Sequence, residues 1–220
     1  NGSRPRPVPM ALGHEAAGVV MSVGEGVTDF AKGDQVICVF VPSCGECVPC
    51  QEGRPALCER AAKSNEAGTL LNGGIRLHNG DEKIYHHIGV SAFSDYAVVS
   101  KQSLVKVTED LTAEQLALFG CAVITGVGAV ANTAKVPLGS SVAVVGLGGV
   151  GLSALLGAIA AGAREVVALD INDQKLVRAA ELGATATYRS DEADIIDRIL
   201  EETNGGFDYV FETAGVVPAL

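Results

Sequence analysis

Positive charge is scarce in this chain and nowhere gathered. Sixteen Lys and Arg stand against 26 Asp and Glu, a formal net charge of −10, and no stretch clusters the basic residues, so a nucleic-acid partner is not expected. A long apolar run is also lacking. The most apolar stretch, Gly146 to Ala163, is threaded with glycines, and no uninterrupted span approaches the roughly 20 residues of a membrane helix. The first nine residues hold three prolines and two arginines with no apolar core, which is not the pattern of a secretory signal peptide. Internal repeats and low-complexity tracts are absent too. What remains is a chain of 220 residues with 48% hydrophobic content, enough to bury a substantial core in one large domain or two smaller ones.

Six cysteines could mean disulfides or metal, depending on compartment and spacing. Cys44-Gly-Glu-Cys47-Val-Pro-Cys50, with Cys58 following, sets thiols at every third position of a Gly- and Pro-containing loop. Four thiolates close a tetrahedral shell around Zn²⁺ and leave no position open for chemistry, so the site reads as structural. Two disulfides, or buried cysteines without partners, are the alternatives. Dense disulfides, however, belong to short domains poor in regular structure, and the second half of this chain is strongly patterned. Cys38, inside an apolar run, is expected in the core as a small hydrophobe.

The first half reads as β-rich and barrel-like. Residues 17–23, 35–41, 97–99 and 104–107 form short apolar or alternating runs parted by Gly, Pro, Asp and Asn, the signature of strands and turns. Thr112, with Glu114 and Gln115 behind it, suits the start of a helix. From Ser140 the chain alternates: strand 141–145, helix 150–161, strand 165–169, helix 174–182, weak strand 185–188, helix 193–202 and strand 207–211. Such βαβ alternation predicts a parallel sheet with helices on both faces, so the fold class is α/β with a β-rich part.

Gly146-Leu147-Gly148-Gly149-Val150-Gly151 directly follows a β-branched strand and opens a helix. In that context Gly146 permits the tight turn, Gly148 lets backbone amides approach a pyrophosphate, and Gly151 lets helix and strand pack closely, with Gly149 and Val150 in the same cofactor-binding loop. A glycine-rich turn without a ligand is the plain alternative. A triphosphate loop fails, because Leu152 and Ser153 follow Gly151 where that loop needs Lys. Asp170 ends the next strand, where its carboxylate suits the hydroxyls of an adenosine ribose and would repel a 2′-phosphate, favouring NAD over NADP. Lys175, one turn into the following helix, is placed to touch the same ribose. Read without the glycines, Asp170 would be a helix cap and Lys175 a solvated lysine.

Gly13-His14-Glu15, the four-cysteine lobe, Gly120-Cys121 ahead of Thr125-Gly126, the glycine loop and Asp170 together resemble, in order and spacing, the medium-chain zinc-containing alcohol dehydrogenases. The resemblance implies a GroES-like catalytic domain portion over 1–122 and a Rossmann NAD-binding portion over 123–220. It also implies that His14 and Cys121 are two protein ligands of a catalytic zinc, with Glu15 near that metal, while Cys44, Cys47, Cys50 and Cys58 hold the structural zinc. Thr125 and Val150 match positions beside the nicotinamide, Lys175 an adenosine-ribose lysine and Phe40 a substrate-pocket position. Without the resemblance, His14 and Cys121 would be an ordinary histidine and a buried thiol.

The likeness further implies a cytoplasmic enzyme that oxidises an alcohol to an aldehyde or ketone by hydride transfer to NAD, with small-molecule substrates and no membrane. Residues 65–87 resemble a segment kept by dimeric members, which implies a homodimer. The third catalytic ligand and its neighbouring proton-relay hydroxyl would precede Asn1. Only four of six cofactor-domain strands are expected before Leu220, so the chain as given is expected to be incomplete for activity. Dehydrogenases of a formaldehyde-thiol adduct, a polyol or an aromatic alcohol share these motifs. A non-enzymatic dinucleotide-binding protein with structural zinc only is the reading from another class.

Overall fold

A computed structural model describes residues 5–216, which fall into two compact units, one ending at Cys121 and the other beginning at Ala122. The first unit is built on two small sheets. Strands β1 (Met10–Ala11), β2 (Ala17–Val19) and β3 (Gln35–Cys38) come first, then helices α1 (Val48–Gln51) and α2 (Glu59–Ala67), and then β4 (Leu77–Asn79), β5 (Glu82–His86) and β6 (Leu104–Val107). In one sheet β3 runs antiparallel between β2 and β6, and in the other β5 lies between β1 and β4. Period-two alternation buries Val36 and Cys38 in β3. Asn79 faces Glu82 across the β4–β5 hairpin. That leaves Gly80 and Asp81 as a two-residue turn with positive φ at Gly80 alone, the sign pattern of a type II′ turn.

Two strand expectations are longer than the strands observed. The expected strands 17–23 and 35–41 end at Val19 and Cys38, where pairing with their neighbours stops. Residues 97–99 form no ladder. They run beside an open groove of about 1020 Å³ with Val19, Met21 and Val36 among its other walls, because a β-branched sequence makes a strand only where a partner edge exists. Conversely β1, β4 and β5 lie outside the runs read as strands, being very short or carrying His, Lys and Glu. Helix α3 (Ala113–Ala117) starts where expected, with a reciprocal cap: Gln115 N–H donates to Thr112 Oγ1 at 3.4 Å, and Thr112 N–H to Gln115 Oε1 at 3.0 Å.

The second unit opens with α4 (Ala122–Gly128), which continues as a π-helical stretch over Ala129–Ala134. It then alternates through β7 (Ser141–Val145), α5 (Gly149–Ala160), β8 (Glu165–Asp170), α6 (Asp173–Glu181), β9 (Ala186–Arg189), α7 (Ile195–Glu202) and β10 (Tyr209–Glu212), each close to its expected bounds. All four strands are parallel, in the order β10-β7-β8-β9. Residues on β7 and β8 alternate between two cores. Val142, Val144, Val166 and Ala168 pack with Leu155 and Ala158 of α5 and Leu176 and Ala179 of α6. Ala143, Val167 and Leu169 face Ile195 of α7 on the opposite side. The change of face follows from right-handed crossovers: the first two move outward on one side of β7, and the third returns past it. The reversal leaves a crevice between the ends of β7 and β10, where this architecture binds nucleotides.

No single described helix is long and apolar enough to cross a membrane. In α5, Leu155 is fully buried while its neighbour Leu156 is 43% exposed. Leu155→Ala should therefore cost about 2–5 kcal/mol, and Leu156→Ala under about 1 kcal/mol. Denaturant midpoints for the two variants check this, and equal losses would contradict the packing described.

Candidate functional site

In the four-cysteine lobe, Gly45 turns the chain with φ +77° and the short helix α1 brings Cys50 back toward Cys44. Cys44 Sγ lies 4.0 Å from Cys50 Sγ and Cys47 Sγ 3.9 Å from Cys58 Sγ, and all four sulfurs fall within 4.8 Å of one another. Sulfurs at zinc-bond length around one tetrahedral ion sit about 3.8 Å apart, so the cluster fits zinc with little rearrangement. No cysteine among the described residues is in a disulfide. Backbone N–H groups of Glu46 and Cys47 point at Cys44 Sγ, each at 3.4 Å, and bring that thiol down to about 6. At Cys58, burial pushes the thiol up, yet N–H groups of Ala61 and Cys44 outweigh it and the net shift is down. At Cys44 and Cys58 the lobe thus favours the thiolate, the form that ligates metal, whereas desolvation pushes the Cys50 thiol up to about 12. Cys38 is apart from the cluster, buried in β3 and pushed up to about 11 by burial, as expected of a core residue.

The second cluster is assembled from distant sequence. His14 Nε2 lies 3.3 Å from Cys121 Sγ, 107 residues later. Nitrogen and sulfur ligands of one tetrahedral zinc stand about 3.6 Å apart, so this pair fits a shared ion. Gly13 holds φ +94°, and a Cβ there would meet the Phe93 backbone nitrogen at 2.8 Å. Ala92 N–H donates to the Gly13 carbonyl at 3.1 Å, fixing the turn. On the other side, a Cβ on Gly120 would reach the Cys38 carbonyl oxygen at 2.1 Å, and this near contact with β3 sets Cys121 beside His14. Glu15 is exposed next to the pair. Phe40 packs edge to face on His14, with ring centroids 5.5 Å apart.

At the glycine loop, Gly146 has φ +88° and a Cβ would meet Ala214 N at 2.5 Å, so the β7 and β10 turns are in contact at the crevice. A Cβ on Gly151 would sit 1.8 Å from the Gly146 carbonyl oxygen, whereas one on Gly148 would meet nothing within 4 Å. Gly151 serves packing, and Gly148 leaves open space at the start of α5. Asp170 is only 6% exposed. Its Oδ2 accepts the Leu147 N–H at 2.7 Å and its Oδ1 the Asn172 N–H at 2.9 Å, and Lys175 Nζ stands 3.4 Å from Oδ2. The carboxylate therefore ties the second strand to the glycine loop, and the helix cap is Asn172, which accepts from Gln174 N–H and Lys175 N–H. Thr125 is exposed on α4. Its neighbour Gly126 would carry a Cβ 2.3 Å from the Val150 carbonyl oxygen, so α4 and α5 cross in near contact there, and Thr125 lies one residue from that crossing.

Sequence reasoning missed His87 and Asn65. His87 meets His14 edge to face at 5.4 Å, and the buried Asn65 donates from Nδ2 to the Phe40 carbonyl at 2.8 Å. The adjacent pair His86-His87 was the only signal, since the chain has four histidines. His86 proves to be a core residue that accepts the Arg76 N–H at 3.1 Å.

Burial pushes the Asp170 carboxyl up, but the N–H groups of Leu147 and Asn172 and the Lys175 ammonium hold it below its ordinary 3.8 on balance. A depressed carboxyl pKa contributes stability that is fully present above the unfolded value and is lost as pH falls through the folded one. Melting of the full-length protein between about pH 5 and pH 2 should thus be less steeply pH-dependent in Asp170→Asn than in the parent. Parallel acid limbs would contradict it.

Residues 1–109 match the alcohol dehydrogenase GroES-like domain, and residues 149–220 match the zinc-binding dehydrogenase domain. The chain is 42% identical over 213 residues to the probable S-(hydroxymethyl)glutathione dehydrogenase 1 of Schizosaccharomyces pombe, covering 96% of this chain and 56% of that protein. It is 43% identical over 213 residues to alcohol dehydrogenase class-3 of Drosophila melanogaster, covering 95% of this chain and 56% of that one. Among solved structures, an alcohol dehydrogenase zinc-binding domain protein from Burkholderia ambifaria superposes with a TM-score of 0.89 at 39% identity over 98% of this chain and 58% of its own. Benzyl alcohol dehydrogenase from Acinetobacter calcoaceticus gives 0.85 at 36% identity, over 98% and 60%. This chain spans a little over half the length of these relatives, and it belongs to the medium-chain zinc-containing alcohol dehydrogenase family, with a GroES-like portion followed by a Rossmann portion.

Proposed function

We propose that the whole protein is a zinc-dependent alcohol dehydrogenase that oxidises an alcohol to an aldehyde or ketone with hydride transfer to NAD. The observation that carries the reading is the 3.3 Å approach of His14 Nε2 and Cys121 Sγ, a nitrogen and a sulfur donor brought together across 107 residues. Residues 1–122 are read as the catalytic-domain portion and 123–220 as the cofactor-domain portion. Zinc held at the His14–Cys121 pair would supply a Lewis acid for a bound alcohol, and NAD would supply the hydride acceptor. His14 and Cys121 hold the metal, Glu15 tunes its surroundings, and Cys44, Cys47, Cys50 and Cys58 hold a second, structural ion. The glycine loop receives the pyrophosphate at the start of α5, with Gly148 and Gly149 at the anion and Gly146 and Gly151 shaping the turn and its packing. Asp170 and Lys175 take the adenosine ribose, and Thr125 and Val150 line the nicotinamide. The same reading takes the protein to be a cytoplasmic homodimer; the likeness of residues 65–87 to a segment of dimeric members supports the second.

A second reading, a dehydrogenase of a formaldehyde-thiol adduct, is favoured by the identity with the Schizosaccharomyces pombe protein. Turnover of a glutathione adduct in preference to primary, polyol and benzylic alcohols would select it.

Metal analysis of full-length protein should find two zinc ions per chain. Cys121→Ser should leave only the ion of the cysteine lobe and lower alcohol-dependent NADH formation at least about a hundredfold. One ion in the parent would point instead to a dinucleotide-binding protein without the catalytic step. Asp170→Gly should weaken NAD about tenfold and NADP less. The loop loses its Leu147 anchor with either cofactor, so the ratio of the two affinities is the diagnostic quantity, and an unchanged ratio would remove Asp170 from the ribose site.

A further inference from the structure

Two rings meet His14 edge to face. Phe40 meets it at 5.5 Å with an interplanar angle of 79°, and His87 at 5.4 Å with an angle of 71°. Both flanking residues are anchored through their own backbones. The Phe40 carbonyl accepts from the buried Asn65 side chain. The His87 N–H donates to Ser91 Oγ at 2.9 Å, and its carbonyl accepts the Val90 N–H at 3.1 Å. The His87 ring does not spend its inner nitrogen on a strong bond: Nδ1 is buried without a hydrogen-bond partner, and the Gly13 carbonyl lies beside the ring. Its one aromatic neighbour among the described residues is His14.

An imidazole turns easily about χ2, and a half-turn would exchange the nitrogen it presents to a metal. Edge-to-face contacts with two rings resist that turn. We infer that His87 is a positioning residue which, together with Phe40, clamps the His14 ring with Nε2 toward Cys121 Sγ. The contact is made by ring packing, so another aromatic ring at position 87 can replace it and an aliphatic side chain cannot. This role for His87 rests on the reading of His14 and Cys121 as metal ligands.

The test uses full-length protein. Zinc retention against a chelator is measured site by site, and cobalt(II) in place of zinc reports the thiolate–nitrogen geometry by its visible absorption. His87→Leu keeps the volume and removes the ring, and should weaken metal at the His14–Cys121 pair about tenfold or more, with an altered cobalt spectrum. The ion of the four-cysteine lobe should be unaffected, which shows that the variant is folded. His87→Phe should stay within about twofold of the parent, with the parent's spectrum. Parent-like retention in His87→Leu would overturn the inference and leave the functional reading standing, as would a loss in His87→Phe equal to that in His87→Leu. A parent that holds metal only in the cysteine lobe would overturn the functional reading and the inference together.

Discussion

Backbone passing closer to backbone than any side chain allows is the constraint on which the arrangement depends. Gly13 turns against Phe93, Gly120 crosses the Cys38 carbonyl, and Gly151 abuts the Gly146 carbonyl. The first two crossings bring His14 and Cys121 to 3.3 Å, and the third seats the glycine loop on the end of β7. A methyl group at any of these points would have to occupy space already held by main-chain atoms. Main chain cannot move aside as a flexible side-chain tip can, so the cost would spread into the strands that carry the site.

The two candidate metal clusters obtain their geometry in different ways. The cysteine lobe is local: its four thiols run from Cys44 to Cys58, and the loop and the start of α2 supply the N–H groups that favour the thiolates of Cys44 and Cys58. The His14–Cys121 pair borrows its geometry from the sheet beneath it, with β3 under Gly120 and residues 92–93 bracing Gly13. Such a pair is only as well placed as its supports, which is why the two rings packed against His14 matter. The glycine loop lies between these extremes. Its turn is encoded locally, but its position is held by Asp170, 23 residues beyond Leu147.

Much of the second unit was legible because its chemistry is repetitive and its connections short. Val142 and Val144 face one core and Ala143 the other, so the strand announces itself by composition and the helices by their own spacing. The first unit was harder to read. Residues 97–99 have a strand's composition but no partner, while Glu82–His86 has a poor strand composition and two partners. Pairing between distant segments outweighs intrinsic preference in small sheets, and nothing local reports it. The Gly80-Asp81 turn was the one overlooked sign of the β4–β5 hairpin.

By itself the sequence determined the family, the α/β pattern of the second half, the make-up of the four-cysteine cluster and the place of the glycine loop, because each rests on residue type at short spacing or on motifs in a set order; His14 and Cys121 were named only through that family resemblance. Tertiary structure alone decided that His87 lies against His14, that Asn65 holds Phe40, and that Asp170 anchors the loop while Asn172 caps the helix. Those relations join residues far apart in the chain or alike in their local signals. They exist only once sheets have paired and the backbone has closed to van der Waals distance.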